Sequence, residues 1–126
     1  MNHDRLLRLT NRFLRLTNIF NKLATAKLWY SGKSDISGKG AFANTKIDKG
    51  DNIGLGFEKI DDTGTPDKDY KRTNLGKLIN HSKKPNLQLS KDSSKFYFIT
   101  IKDIDDKEEL TVDYKTFPWE GKRDFT

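Results

Sequence analysis

Three short segments of the sequence carry the residue types that could do chemistry. Ser37–Ala43 has glycines at positions 38 and 40, and Asn80–Asn86 contains His81. Lys107–Tyr114 contains two adjacent glutamates and a tyrosine. The paired glycines indicate backbone that turns sharply or lies close to another group. They do not form a phosphate loop, because the Lys-Ser/Thr ending of that motif is missing.

The histidines, the glutamates and the lack of cysteine narrow the chemistry. His81 taken alone is favoured as a turn residue satisfied by backbone groups, and the other histidine, His3, lies far away in the chain. Because the sequence has no cysteine, it offers no disulfide, catalytic thiol or thiolate zinc site. Glu108 and Glu109 would point to opposite sides of a strand, which is poor geometry for a carboxylate pair.

Size and charge limit the possible classes of protein. The chain has 126 residues, enough for one domain with an arm. Its formal net charge of +6 is concentrated in residues 1–30, which carry six basic side chains and one acidic one. Nucleic-acid binding inferred from charge would therefore depend on those residues. No apolar run approaches the ~20 residues that a membrane span needs.

The first 27 residues are predicted to be a basic amphipathic arm. Its helix, over residues 4–27, is indicated by apolar side chains three and four residues apart: Leu6, Leu9, Phe13, Leu16, Phe20 and Leu23. Four interpretations stay open, namely packing on the domain or a second copy, docking to nucleic acid or an acidic partner, membrane-surface binding, and an organelle presequence. A secretory signal is not expected, because charges interrupt every apolar stretch.

From residue 28 onward the pattern is that of short strands separated by turns. Strands are predicted at 28–30, 41–43, 53–57, 87–89, 96–101 and 110–112. Thr73 is expected to cap a helical turn over 74–79. Residues 58–72 are predicted to be a polar loop whose acids suit either a basic peptide or plain solvation: Glu58, Asp61, Asp62, Asp67 and Asp69. The pattern favours a compact β-rich domain.

The three segments, in this order, resemble the motifs of the SET-domain protein-lysine methyltransferases. Gly38–Ala43 and Ile47–Gly50 resemble the family's glycine-rich turn before GVFA and its I-x-K-G turn. Leu78–Asn86 resembles INHS-x-x-PN, and Ile101–Tyr114 resembles I-x-x-I-x-x-x-E-E-L-T-x-D-Y. The resemblance covers residues 28–117.

The resemblance implies a particular fold. The expected class is α+β, mostly β: a SET-domain β-clip of small curved sheets with a C-terminal pseudoknot, preceded by the N-terminal amphipathic helix. The arm would span residues 1–27, the SET domain 28–117 and a short tail 118–126. Lys83 stands where the family usually has a cysteine, so the domain resembles minimal bacterial and viral versions without the zinc-binding flank.

The resemblance also implies roles for individual residues. Tyr114 would be the catalytic tyrosine and would contact the cofactor, S-adenosylmethionine. No metal is implied. The substrate channel would be lined by Tyr97 and Phe117, with Phe117 or Trp119 near the adenine or in the channel wall. The other cofactor-binding residues would be Lys39, Gly40, Phe42, Lys77, Asn80, His81 and Trp119.

The implied function is methyl transfer from S-adenosylmethionine to a lysine amine of a histone or other basic protein. Only about one free lysine in a thousand is neutral at pH 7, so an apolar channel that lowers its pKa would favour reaction. Two alternatives stay open: a catalytically weak SET module that binds a partner, and nucleic-acid binding through the arm. A homodimer is an open possibility. The expected location is the cytoplasm, or the host cell or nucleus for a viral protein, without secretion.

Overall fold

The computed structural model describes residues 28–120, which form eight strands, two short α-helices and one 3-10 helix. The strands are β1 Trp29–Lys33, β2 Lys39–Ala43, β3 Asn52–Lys59, β4 Tyr70–Arg72, β5 Asn80–His81, β6 Leu87–Asp92, β7 Lys95–Thr100 and β8 Glu109–Val112. The helices are α1 Pro66–Asp69 and α2 Asn74–Leu78, and the 3-10 helix is Tyr114–Thr116. The predicted arm, residues 1–27, and residues 121–126 lie outside the described residues.

The first sheet brings together strands that are far apart in sequence. Its order is β1-β2-β8-β5, so β8, the last of the eight strands, lies in the middle. β8 pairs with β2 in antiparallel register, Ala41 opposite Leu110. On its other side it pairs in parallel with the two residues of β5, Asn80 opposite Thr111 and His81 opposite Val112.

The second sheet is antiparallel throughout, with the order β4-β3-β7-β6. Its longest strand, β3, changes register with β7 between Asn52 and Gly54 and again between Leu55 and Phe57. The first irregularity coincides with Gly54, whose φ of 150° is one that other residues rarely adopt. These bulges bend β3.

One hydrophobic core contains side chains from both sheets. In β7 the side chains alternate, with Phe96 and Phe98 buried and Tyr97 on the other face of the sheet. Ala41 and Leu110 contribute from the first sheet and are fully buried. The mostly β fold class is confirmed, with small sheets and few helices, whereas the domain boundaries at residues 27 and 117 stay a prediction.

The prediction of a loop over residues 58–72 is wrong for most of that segment. β3 continues to Lys59, and residues 66–72 form α1 and β4. Asp69 is 4% exposed rather than solvated, and its carboxylate accepts hydrogen bonds from the Thr63 N–H at 2.7 Å and the Gly64 N–H at 2.8 Å. Burial acts to raise the pKa of Asp69, but hydrogen bonds from Thr63 and Gly64 outweigh it and lower the pKa. The sequence did not predict that the Asp69 carboxylate would be buried in this turn, because turn propensity does not indicate which side chain the turn encloses.

Helix α2 is the predicted helical turn, and Thr73 caps it as expected. The Thr73 hydroxyl oxygen accepts from the Gly76 N–H at 3.1 Å and donates to the Leu55 carbonyl oxygen at 2.6 Å. A Cβ at Gly76 would overlap the carbonyl oxygen of Gly56 in β3. The helix therefore packs on the strand by direct backbone contact, which only glycine permits.

Replacing Gly76 by alanine is expected to destabilise the domain by about 2–3 kcal/mol, because the methyl group has no space. Helix propensity alone predicts the opposite sign, a gain of about 1 kcal/mol. Urea unfolding of Gly76→Ala measures the difference. The control is Gly64→Ala, at φ +84° in open space, where only the backbone conformation opposes the change, by about 1 kcal/mol. A stabilised Gly76→Ala variant would contradict the backbone contact.

None of the helices within residues 28–120 is long and apolar enough to cross a membrane.

Candidate functional site

The five residues 77–81 supply groups to three parts of the candidate site, namely a cavity, the glycine-rich turn and Tyr114. The last turn of α2 contains Lys77, and the backbone N–H of Ile79 closes the helix by donating to Leu75 at 3.1 Å. Asn80 and His81 then form β5. Because α2 is anchored on β3 and β5 is paired with β8, the segment is held at both ends.

The side chain of Asn80 holds the glycine-rich turn. Its amide nitrogen lies 3.0 Å from the Ser34 hydroxyl, 3.1 Å from the Ser37 carbonyl oxygen and 3.3 Å from the Lys39 carbonyl oxygen. The same nitrogen lies 3.0 Å from Glu109 Oε2. An amide with two hydrogens surrounded by four acceptors fixes the turn against β8.

The buried Ser34 and the half-buried Glu109 complete this network around Gly40. The Ser34 hydroxyl lies 2.8 and 2.9 Å from the two Glu109 carboxylate oxygens and accepts from the Ile36 N–H at 2.9 Å. A Cβ at Gly40 would overlap Glu109 Oε2. Gly40 is therefore required for close packing of the turn on Glu109, whereas its approach to the cofactor stays a prediction.

Tyr114 is held at both its backbone and its hydroxyl group. Its N–H donates to Nδ1 of His81 at 3.0 Å, and its hydroxyl donates to the carbonyl oxygen of Ile79 at 2.8 Å. Burial raises the pKa of Tyr114 above its ordinary value of 10.0, although the positive charge of Arg72 acts in the opposite direction. The hydroxyl is therefore neutral at physiological pH, and its orientation is set by Ile79.

Behind Tyr114 lies a cluster of packed aromatic rings. Phe117 stacks on Tyr114 at 5.0 Å between centroids, and Trp119 contacts Phe117 at 4.9 Å. Phe57 lies 4.8 Å from Trp119, and the guanidinium of Arg72 lies 4.8 Å above the Trp119 ring. Phe117 and Trp119 are both buried, so this cluster supports the position of Tyr114 from the core side.

A cavity of about 560 Å³ lies between β1 and α2. Its volume is in the usual range for small-molecule sites. The lining combines two aromatic rings, two lysines, two small polar side chains and one leucine: Trp29, Tyr30, Ser31, Lys39, Asn74, Lys77 and Leu78. Phe42 stacks on Tyr30 at 5.7 Å and so supports one wall.

Most of the predicted site residues lie at the cavity, in the hydrogen-bonded network or in the aromatic cluster, with Phe42 at the cavity wall and Phe117 in the cluster. Lys39 and Lys77 meet at the cavity, and Gly40, Asn80, His81 and Tyr114 belong to the hydrogen-bonded network beside it. Tyr97 lies on the face of β7 opposite to the buried Phe96 and Phe98, and Trp119 contacts Phe117 and Phe57. The cofactor, channel and catalytic roles of all these residues stay predictions.

Several residues of the site were not found from the sequence. Ser34 is one of many serines in the sequence. It gains a role only because folding brings it next to Glu109, which lies 75 residues away in the chain. Ile79 contributes a backbone oxygen, for which no side-chain type is a signal. Trp29 and Tyr30 were assigned to a strand, and the aromatic pair could have suggested a ligand wall.

The comparisons with known proteins agree with this geometry. The family model of the SET domain matches residues 55–115, a segment that includes β5, β8 and Tyr114. Residues 55–115 of the chain thus match the SET domain, which confirms the resemblance over that segment. No curated protein sequence matches the chain.

Solved structures of low sequence identity share the fold. The chain is similar to a Plasmodium falciparum protein assigned as a histone methyltransferase, at 23% identity and a TM-score of 0.58, over 74% of this chain and 97% of that one. It is also similar to Chaetomium thermophilum Polycomb Repressive Complex 2 in an autoinhibited conformation bound to S-adenosylmethionine, at 23% identity and a TM-score of 0.55. The same complex bound to GSK126 gives 23% and 0.57. In both cases the match covers 74% of this chain and 16% of the other.

The raised pKa of Tyr114 predicts the behaviour of one phenol group on titration. The difference in phenolate absorbance between the protein and Tyr114→Phe should titrate above the ordinary value of 10.0 in the folded state. In denaturant the same difference should titrate near ~10. The Tyr114 hydroxyl loses its proton at lower pH in the unfolded chain than in the folded one. The difference in free energy of unfolding that favours the wild type over Tyr114→Phe should therefore decline as the pH rises past about 10. A folded-state transition at or below the denatured one would show that the hydroxyl is not buried as described.

Proposed function

We propose that this chain is an S-adenosylmethionine-dependent methyltransferase that acts on a lysine side chain of a protein substrate. The observation that carries the proposal is the arrangement of residues 77–81. This segment places Lys77 at the cavity and fixes the backbone and hydroxyl of Tyr114 through His81 and Ile79. The SET domain match supports the reaction class, and the substrate is assigned from the chemistry of the site.

The cavity fits the cofactor in chemistry as well as size. The ammonium groups of Lys39 and Lys77 would pair with the carboxylate of the cofactor, and the rings of Trp29 and Tyr30 offer a flat apolar surface for its adenine. Gly40 allows the turn to lie close to Glu109 where a Cβ would intervene. The cofactor, when bound, supplies an electrophilic methyl group on a sulfonium.

Tyr114 would orient the lysine amine by accepting a hydrogen bond. Its hydroxyl proton is donated to the Ile79 carbonyl oxygen, so towards a further group the phenol oxygen can act only as an acceptor. The raised pKa keeps the phenol neutral, so no phenolate is formed that would hold the amine as an ammonium ion. Alignment of the amine, rather than proton abstraction by Tyr114, is then its contribution.

The surroundings of Tyr114 would favour the neutral amine that methyl transfer needs. The Arg72 charge already acts on the Tyr114 hydroxyl, and the same positive charge would lower the pKa of a lysine placed beside it. Burial against the stacked ring of Phe117 acts in the same direction. A basic peptide as the wider substrate is supported less well, because Asp69 is enclosed by its own turn.

Replacing Tyr114 by phenylalanine is expected to lower the rate of methyl transfer by about 100-fold, because the amine loses its acceptor. Labelled methyl donor and a panel of lysine-containing proteins provide the assay. The affinity for S-adenosylmethionine, measured by calorimetry, should change much less. The matched control is Tyr70→Phe, whose ring packs against Trp119 at 5.0 Å without reaching the network. Equal turnover in the wild type and Tyr114→Phe would remove Tyr114 from the reaction.

Replacing Lys77 by methionine is expected to weaken cofactor binding by about tenfold, since one charge-assisted hydrogen bond to the carboxylate is lost. Lys77→Arg should restore most of the affinity, and Lys71→Met removes an exposed lysine on β4 as a control for net charge. Calorimetric titration measures all four proteins. The absence of saturable binding in the wild type would contradict the enzyme and favour a SET module that binds a partner.

A further inference from the structure

The His81 side chain has a role that the motif resemblance does not assign. Nδ1 of its ring accepts the backbone N–H of Tyr114 at 3.0 Å. A ring nitrogen that accepts a hydrogen bond carries no proton, so the neutral ring must carry its proton on Nε2. The tautomer of His81 is therefore set by Tyr114, and the position of the Tyr114 backbone is set in part by His81.

A carboxylate lies beside the same ring nitrogen. Asp113 Oδ1 is 3.8 Å from Nδ1 of His81 and also accepts the Lys115 N–H at 2.9 Å, which caps the 3-10 helix that begins at Tyr114. If His81 takes up a second proton, Nδ1 becomes a donor and faces the Tyr114 N–H, which is also a donor. The ring would then turn to Asp113, and Tyr114 would lose its backbone acceptor.

The other groups around the ring do not offer a competing charge at Nδ1. The β8 residues paired with β5 are Thr111 and Val112, neither of which ionises. The Tyr114 ring lies 5.2 Å away and its hydroxyl is neutral. Lys115 contributes its backbone N–H to Asp113, and its side chain is exposed. Within residues 28–120, Asp113 is thus the carboxylate that lies beside the imidazole of His81.

We propose that His81 is a positioning residue whose neutral imidazole holds Tyr114 in place, and that its protonation releases Tyr114 and lowers the rate of methyl transfer. The part of this proposal that concerns the rate rests on the proposed function, whereas the part that concerns the position of Tyr114 does not.

The hydrogen bond itself can be tested by nuclear magnetic resonance on the uniformly ¹⁵N-labelled protein. Above neutral pH we expect a scalar coupling across the hydrogen bond between the Tyr114 amide nitrogen and Nδ1 of His81, with the ring proton on Nε2. The coupling should disappear as the pH falls and the imidazole becomes doubly protonated. A ring proton on Nδ1 above neutral pH, or a coupling that persists once both nitrogens are protonated, would overturn the proposal.

Two variants that differ by one methylene group test the effect on rate. In His81→Asn the side-chain oxygen stands at the same number of bonds from Cα as Nδ1, and in His81→Gln it stands one bond farther. We expect the rate of His81→Asn at neutral pH to exceed that of His81→Gln by about tenfold, because only asparagine can accept the Tyr114 N–H in place. Equal rates for the two variants would contradict the positioning role.

The pH profile separates this role from a purely structural one. Titration of the substrate lysine affects all variants equally, so it cancels in the ratio of the wild-type rate to the His81→Asn rate. That ratio should fall by about tenfold in all as the pH is lowered and the imidazole of His81 becomes doubly protonated, because loss of the Tyr114 acceptor costs about tenfold. In Asp113→Asn, which keeps the helix cap, the fall should begin at lower pH because the imidazolium loses its anion. A ratio independent of pH would overturn the proposal. The absence of methyl transfer at any pH would instead overturn the proposed function, and the position of Tyr114 would then be tested by the scalar coupling alone.

Discussion

The side chain of Asn86 makes the contact on which the placement of β8 depends. Its amide nitrogen donates to the Glu109 carbonyl oxygen at 2.8 Å and to Glu108 Oε2 at 3.0 Å, and its oxygen accepts the Thr111 N–H at 2.8 Å. Asn86 is 3% exposed, so these bonds are formed away from water, where losing one would leave a buried polar group unsatisfied. The Asn86 side chain thus bonds the backbone of β8 as a neighbouring strand would, next to the point where the short parallel pairing of β8 with β5 begins. Tyr114, two residues after the end of β8, is positioned from this point.

The site is built from contacts between segments that are distant in sequence, and each segment is anchored by a different physical means. The glycine-rich turn is held by the polar network of Asn80, Ser34 and Glu109. Helix α2 is held by the backbone contact at Gly76. Tyr114 is held by hydrogen bonds at its backbone and hydroxyl and by ring stacking on Phe117. No single element forms the site, so its precision depends on all three anchors at once.

Much of the fold could be predicted from local patterns, whereas the site could be predicted only in part. The aromatic and β-branched run over residues 96–101 predicted β7, and Thr73 predicted the start of α2, because both signals act within a few residues. The enclosed carboxylate of Asp69 could not be predicted, since it depends on which turn closes around it. The motif resemblance led to Asn80 and His81, but their observed partners, Ser34 and the Tyr114 backbone, are fixed by the order of strands in a sheet. The periodicity of the sequence within each strand does not predict that order.

The central position of β8 in the first sheet has a consequence for how the protein is made. On a ribosome, β2 and β5 emerge well before β8, yet each must leave a row of backbone groups for a strand that has not been synthesised. Until then both strands have open edges, which invite pairing with other chains. Pairing between distant segments is also slow to form. The nascent chain should therefore depend most on chaperones during the interval between the synthesis of His81 and that of Val112.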